Sequence, residues 1–169
     1  NGGVELVENA EVSEVTSGGV LLANGRIIAA QFVTGAAGAR PHGWMSDIGV
    51  EMTSGFIAVN RQLQSSDPAI FAVGDCAHMT ANPRPKAGVY AVRRAPVLFR
   101  NLRADLSGGA LQTYTPQKDY LKLISLGKKS ALAEKLDRAF SGPLLWRLKN
   151  HIDVNFMNQF NSLPKMATP

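Results

Sequence analysis

Polar and apolar residues alternate over Glu11–Thr16, the period-two pattern of a strand with one face buried. Ser17-Gly18-Gly19 turns the chain into a second apolar run, Val20–Ala23. Asn24-Gly25, a strong two-residue hairpin signal, leads to a third, Arg26–Ala30. These predict a β-meander. A further short apolar run, Gln31–Thr34, ends at Gly35. The segment from Gly35 to Gly55 holds five glycines and Pro41 and reads as loop. Phe56–Asn60 is the next predicted strand, and Ser65–Pro68 a turn. Ala69–Val73 is apolar without alternation, as in a strand buried on both faces of a parallel sheet, and it stops at Gly74-Asp75.

After Pro83-Arg84-Pro85 the period changes. Val92, Ala95, Phe99, Leu102 and Leu106 recur at helical spacing and form one apolar stripe, ended by Gly108-Gly109. Pro96 lies inside that stripe and should kink the helix. Tyr120–Leu126 alternates as a strand, Gly127-Lys128-Lys129 turns it, and Ser130–Ala133 returns. Ser141-Gly142-Pro143 opens a last helix with the stripe Leu145, Leu148, Ile152, Phe156 and Phe160.

Composition narrows the chemistry. The 169 residues are 45% hydrophobic, enough for a packed core, with no apolar run of the ~18 residues that a membrane span requires. Cys76 is the sole cysteine, which excludes an internal disulfide, a Cys-x-x-Cys dithiol and a multi-cysteine zinc site; it reads as a small buried residue. His42, His78 and His151 show no metal-ligand spacing, and no Gly-x-Ser-x-Gly elbow occurs. The net charge of +5 hides a division: three basic and eight acidic residues up to residue 82, fifteen basic and five acidic after it. The chain starts Asn1-Gly2-Gly3 with no Met and no signal-peptide pattern, which reads as a piece of a longer protein.

The most informative stretch is Ile70-Phe71-Ala72-Val73-Gly74-Asp75-Cys76-Ala77. Gly74 allows a close backbone approach, and a carboxylate at the carboxyl end of a strand can accept hydrogen bonds from ligand hydroxyls. Taken alone, Gly-Asp is a common turn. In context it resembles the second flavin-contact motif of the pyridine nucleotide-disulfide oxidoreductases and type II NADH dehydrogenases. Three further segments match in the same order. Val33-Thr34-Gly35-Ala36 is similar to the crossover from the NAD domain back to the FAD domain. Gly55–Asn60 with Leu63-Gln64-Ser65 resembles the family's Gly-x-Ile-x-Val-Asp … Leu-x-Ser. Pro85–Val92 resembles the start of the helix aimed at the flavin. The Pro-Arg-Pro-Lys-Ala-Gly-Val form and the downstream stretches look most like NADH-dehydrogenase-like halves fused to selenide, water dikinase.

The resemblance implies an α/β fold, part of a two-dinucleotide-binding-domain flavoprotein with a small α+β cap. The end of the NAD(P) domain would fall at 1–34, the second part of the FAD domain at 35–108 and the cap at 109–169. It implies an FAD-dependent NAD(P)H oxidoreductase that passes hydride to FAD and electrons to a quinone or another acceptor. Gly35 and Ala36 would pass close to the adenosine-diphosphate half. Gly74 and Asp75 would lie at the ribityl chain or adjoining phosphate. Ala87, Gly88 and Val89 would point backbone N–H groups at the pyrimidine edge, where a helix N-terminus stabilises negative charge. Lys86 would add a positive charge there; its other reading is a solvated loop lysine. Arg93-Arg94 reads as the solvated face of the helix.

The chain departs from the family in lacking any Gly-x-Gly-x-x-Gly phosphate loop, in having Gly88 where type II NADH dehydrogenases often have Gln, and in matching poorly over Ala37–Trp44. In the cap, Trp146, Arg147, Lys149 and His151 flank the apolar stripe of the last helix. One reading is a peripheral contact with an anionic membrane. The other is a helix that closes the small domain or forms a homodimer interface. No nucleic-acid motif occurs. The expected location is cytoplasmic or peripheral at the inner face of the membrane. The rival class is a non-catalytic interaction or membrane-docking module on a flavoprotein-derived scaffold.

Overall fold

The computed structural model describes residues 3–161; the outer limits of the domains expected at 1–34 and 109–169 lie outside them. The described chain forms two compact units that part between Arg40 and Pro41.

The first unit is the meander. Strands β1 (Val12–Thr16), β2 (Gly19–Leu22) and β3 (Ile27–Ala29) pair antiparallel in that order. Two residues set its turns. At Gly19 a Cβ would stand 2.1 Å from the Ile28 carbonyl oxygen, so a side chain is excluded where β2 and β3 meet. At the β2–β3 hairpin the Asn24 side chain accepts the Arg26 N–H at 3.0 Å. The alternation in β1 suggested a buried face, but all five of its residues are exposed. Gln31–Thr34 forms no strand, and Phe32 is exposed.

In the second unit the expected loop from Gly35 to Gly55 contains a 3₁₀ turn, Gly43–Ile48, and strand β4 (Met52–Thr53), which pairs antiparallel with β5 (Phe56–Val59). Met45 is the buried residue of that turn and reaches the core, while Trp44 and Ile48 stay exposed. The parallel partner of β5 is β6 (Ala77–Met79), with Ile57 opposite Ala77 and Val59 opposite Met79.

Ala69–Val73, expected to be that parallel strand, is instead the return arm of a tight loop. Phe71 bridges Gln64 antiparallel, the Ser65 N–H donates to the Ile70 carbonyl at 2.9 Å, and the Ala72 N–H donates to the Leu63 carbonyl at 3.1 Å. Its backbone groups are thereby taken by the preceding segment, so the parallel ladder forms just beyond Gly74-Asp75. The core gathers Met45, Ile57, Val59, Leu63, Ala72, Ala77, Met79 and Tyr114.

Helix α1 (Gly88–Ser107) runs through Pro96 and ends at Gly108, which takes the left-handed conformation (φ 69°). Its orientation differs from the sequence expectation. Val92, Phe99, Leu102 and Leu106 are exposed, Leu106 by 89%, while Tyr90, Arg94 and Asn101 are buried. Tyr90 is buried on the inward face, Val97 and Leu98 pack against the core, and Asn101 ties that face to neighbouring backbone. Its amide nitrogen donates to the carbonyls of Gln62 (2.7 Å) and Gln112 (3.0 Å), and its amide oxygen accepts the Gln112 N–H (2.7 Å). Backbone groups that would otherwise be buried without partners are satisfied only when this face turns inward.

Further along the second unit, in the segment expected as the cap, lies a three-stranded antiparallel sheet, β7 (Lys122–Gly127), β8 (Ser130–Lys135) and β9 (Arg138–Gly142), followed by α2 (Pro143–Asn158). Pro143 occupies the first turn of α2 as its fixed φ favours. Strand β9 was not foreseen. Its hairpin turn uses Leu136 and Asp137, both left-handed (φ 51° and 58°), in place of the Gly or Asn that signals such a turn. The Asp119 carboxylate accepts the Leu136 N–H at 3.0 Å and holds the turn. Helix α2 contacts β8, whose Ala131 and Ala133 are buried, yet no α2 residue is itself buried. Its stripe of Leu148, Ile152, Phe156 and Phe160 lies open. The reading of α2 as a core helix closing the cap therefore does not hold for these side chains.

Candidate functional site

The second unit brings Gly74, Asp75 and the Lys86–Val89 segment onto one set of elements. Gly74–Cys76 forms a single 3₁₀ turn between the return arm and β6. Gly74 has φ 75°, a conformation that other residues rarely adopt, and a Cβ there would sit 3.8 Å from the Ala91 Cβ. The turn is thus seated against Ala91 in the first turn of α1, with no side chain of Gly74 in between. Asp75, next in the chain, is exposed, and its carboxylate accepts no hydrogen bond among the described residues. Cys76 is half-buried, packs against the core and donates its Sγ–H to the Val73 carbonyl at 3.1 Å, as the reading of a small buried residue requires.

The start of α1 is open in the same sense. Ala87 is extended (φ −148°, ψ 139°) and makes no side-chain cap; its carbonyl accepts the Tyr90 N–H at 3.0 Å. Gly88 is exposed, with nothing within 4 Å of where a Cβ would stand. An uncapped N-terminus leaves N–H donors and the positive end of the helix dipole available to an acceptor.

Lys86 is not a solvated loop lysine. Its Nζ donates to the Ala77 carbonyl at the start of β6 and lies 3.9 Å from the centroid of the Phe56 ring. Burial lowers its pKa below the usual 10.5, and the charge of Arg94 adds to that; Asp75 and Cys76 work in the opposite direction. Gly35 and Ala36 belong to the first unit, where both are exposed in irregular chain.

Sequence reasoning missed Phe56, Arg94, Asn101 and Tyr114. Arg94, expected on the solvated face, is only 4% exposed, with its Cζ 5.6 Å from the centroid of the Tyr114 ring. Its residue type conceals it, although it lies one helical turn from Tyr90 and Val97 on the inward face, while the stripe of Val92, Phe99, Leu102 and Leu106 faces outward. Among the described residues no group of three His, Cys, Asp or Glu side chains is placed to hold a metal, and no helix is long and apolar enough to cross a membrane.

Comparison with known proteins identifies the family. The pattern of the pyridine nucleotide-disulphide oxidoreductase family matches residues 1–95, more than half of the chain and all of the segment up to the second turn of α1. The chain belongs to this family. Its curated relatives include proteins described as nitric oxide reductase FlRd-NAD(+) reductase. The one from Klebsiella pneumoniae strain 342 is 40% identical over 88 residues, 49% of this chain and 23% of the relative. That from Vibrio vulnificus is 36% identical over 88 residues. The chain spans about a quarter of the length of these relatives.

Among solved structures, Fdr9 superposes with a TM-score of 0.53 and 26% identity over 79% of this chain and 41% of its own. The NAD-dependent persulfide reductase from A. fulgidus gives a TM-score of 0.56 at 22% identity, over 78% of this chain and 25% of that one, a likeness of fold. The architecture is accordingly the α/β one of the flavoprotein reductases. Where the family uses a flavin, the residues present here fit one: a free carboxylate, an uncapped helix N-terminus and a half-buried ammonium together match ligand hydroxyls and an electron-rich edge.

Proposed function

We propose that this chain supplies the second FAD-contacting segment of an NAD(P)H-dependent oxidoreductase. The carrying observation is the Gly74 turn, which seats Asp75, free of hydrogen-bond partners, against the uncapped start of α1. Asp75 would accept hydrogen bonds from the ribityl hydroxyls. Ala87, Gly88 and Val89 would direct backbone N–H groups to the pyrimidine edge, with Lys86 beside them, and Gly35 and Ala36 would pass the adenosine-diphosphate half. Bound FAD supplies the acceptor for hydride from NAD(P)H and the donor to the next electron carrier. The side chains named here bind and orient; none acts as acid, base or nucleophile. In this scheme residues 1–34 close the NAD(P) domain, 35–108 complete the FAD domain and 109–169 form the cap.

The terminal acceptor is best read as a redox protein, because the curated relatives are named for one. A quinone acceptor at a membrane is favoured by a different observation, the open stripe of α2 beside Arg147 and Lys149. Sedimentation with anionic vesicles separates these two readings, and a concentration-dependent dimer would identify a second copy as the cover of that stripe. The enzyme reading is tested on the whole protein: it should purify yellow, with flavin absorbance near 450 nm that NADH or NADPH bleaches without oxygen. A colourless preparation that FAD cannot reconstitute leaves only a non-catalytic scaffold.

A further inference from the structure

The β8–β9 ladder sets Lys135 directly opposite Arg138 and Ala133 directly opposite Phe140. Residues two apart on a strand share a face, so these four side chains stand on one side of the sheet. With Leu121 and Leu136 they line a hollow of about 510 Å³, a volume in the range of small-molecule sites. Four of the six lining residues are apolar and two are cations.

Three features of the hollow are costly for the chain by itself. Like charges directly opposite each other across a ladder repel, and neither Lys135 nor Arg138 is ion-paired among the described residues. The carboxylates near them are placed otherwise: Asp119 accepts the Leu136 N–H at 3.0 Å, and Asp137 does not line the hollow. Leu136 takes the left-handed conformation (φ 51°) while 72% exposed, where Asn or Gly would be less strained and better solvated. Phe140 is 66% exposed. Backbone strain, apolar exposure and facing cations at one spot indicate a ligand more than a contribution to folding.

We infer that this hollow binds a single-chain amphiphilic carboxylate of the fatty-acid kind. The carboxylate lies between Lys135 and Arg138, and the chain covers Leu121, Leu136 and Phe140. The two cations supply the charge complement, and the concave shape suits one chain. The site is independent of the FAD reading above and stands or falls without it.

Calorimetric titration of the whole protein with dodecanoate, kept below its micelle concentration, tests this. Acetate lacks the chain, and dodecyltrimethylammonium reverses the charge. Dodecanoate should bind at about one per chain. Acetate should give no measurable heat, and the cationic amphiphile should bind about tenfold more weakly. Lys135→Gln and Arg138→Gln should each weaken dodecanoate about two- to fivefold, and Phe140→Ser about tenfold. All three positions are exposed, so these variants should fold. Leu136→Asn should weaken binding while the melting temperature holds or rises, a combination that a purely structural Leu136 would not give. Phe99→Ser, on the open stripe of α1, should leave the affinity unchanged. Dodecanoate that does not bind, or that binds all of these variants equally, overturns the inference. So does self-association, or capture by anionic vesicles, that Phe140→Ser and Arg138→Gln abolish in a protein giving no heat with dodecanoate; the hollow then serves a second copy or a lipid surface.

Discussion

At the residue scale, Asn101 shows how a polar side chain can tie the inward face of a helix to the backbone beneath it. Its three hydrogen bonds satisfy backbone groups of Gln62 and Gln112 at a position that is 0% exposed. Asn101→Leu keeps the branching but strands those groups, and should cost about 2–4 kcal/mol of unfolding free energy in urea. A cost below about 0.5 kcal/mol would show that water takes over the three contacts.

Asp119 gives a pH signature. Backbone N–H groups of Leu136 and Tyr120 hold its carboxyl below the usual 3.8. A depressed carboxylate stabilises the fold fully above 3.8, and that contribution fades as pH falls through the lower folded value. Amide exchange at Leu136 should therefore accelerate as pH drops below about 4, after correction for intrinsic exchange, and Asp119→Asn should abolish that added acid dependence. The sequence announced neither residue, since each acts on backbone atoms distant in the chain. It did announce Asp75, whose proposed role depends on the local Gly-Asp turn.

At the scale of elements, the 3.6-residue period located α1 correctly but misassigned its buried side. The stripe through Val92, Phe99, Leu102 and Leu106 is apolar because such a face needs cover, and the described chain does not supply it. The same holds for β1, where alternation is present and burial is not. Periodicity reports a face that can be buried; the partner decides whether it is. The 169-residue chain alone should bind a hydrophobic dye, and Phe99→Ser with Leu102→Ser should remove much of that signal without lowering the melting temperature by more than a few degrees. Pro96 is exposed within α1 and withholds one helix donor. Pro96→Ala should raise stability by about 1–3 kcal/mol in thermal or urea unfolding. The β9 hairpin escaped the sequence because its turn uses Leu136 and Asp137 at left-handed angles.

At the scale of the molecule, the chain parts into two units at Arg40–Pro41, matches its family over residues 1–95, and shares with its curated relatives a stretch that covers about a quarter of their length. The α/β class was legible from the Gly74-Asp75 motif and the ordered matches around it. The parallel partner of β5 was displaced to Ala77–Met79, because the run before Gly74 spends its backbone groups on its own loop. That displacement leaves the 3₁₀ turn, and with it Asp75, at the start of α1.

The most direct measurement is the FAD content of the purified whole protein, wild type against Asp75→Ala. The account predicts near-stoichiometric FAD in the wild type and loss of most of it in a variant that retains its melting temperature without added flavin. A folded Asp75→Ala protein that keeps its FAD to the same extent would contradict it.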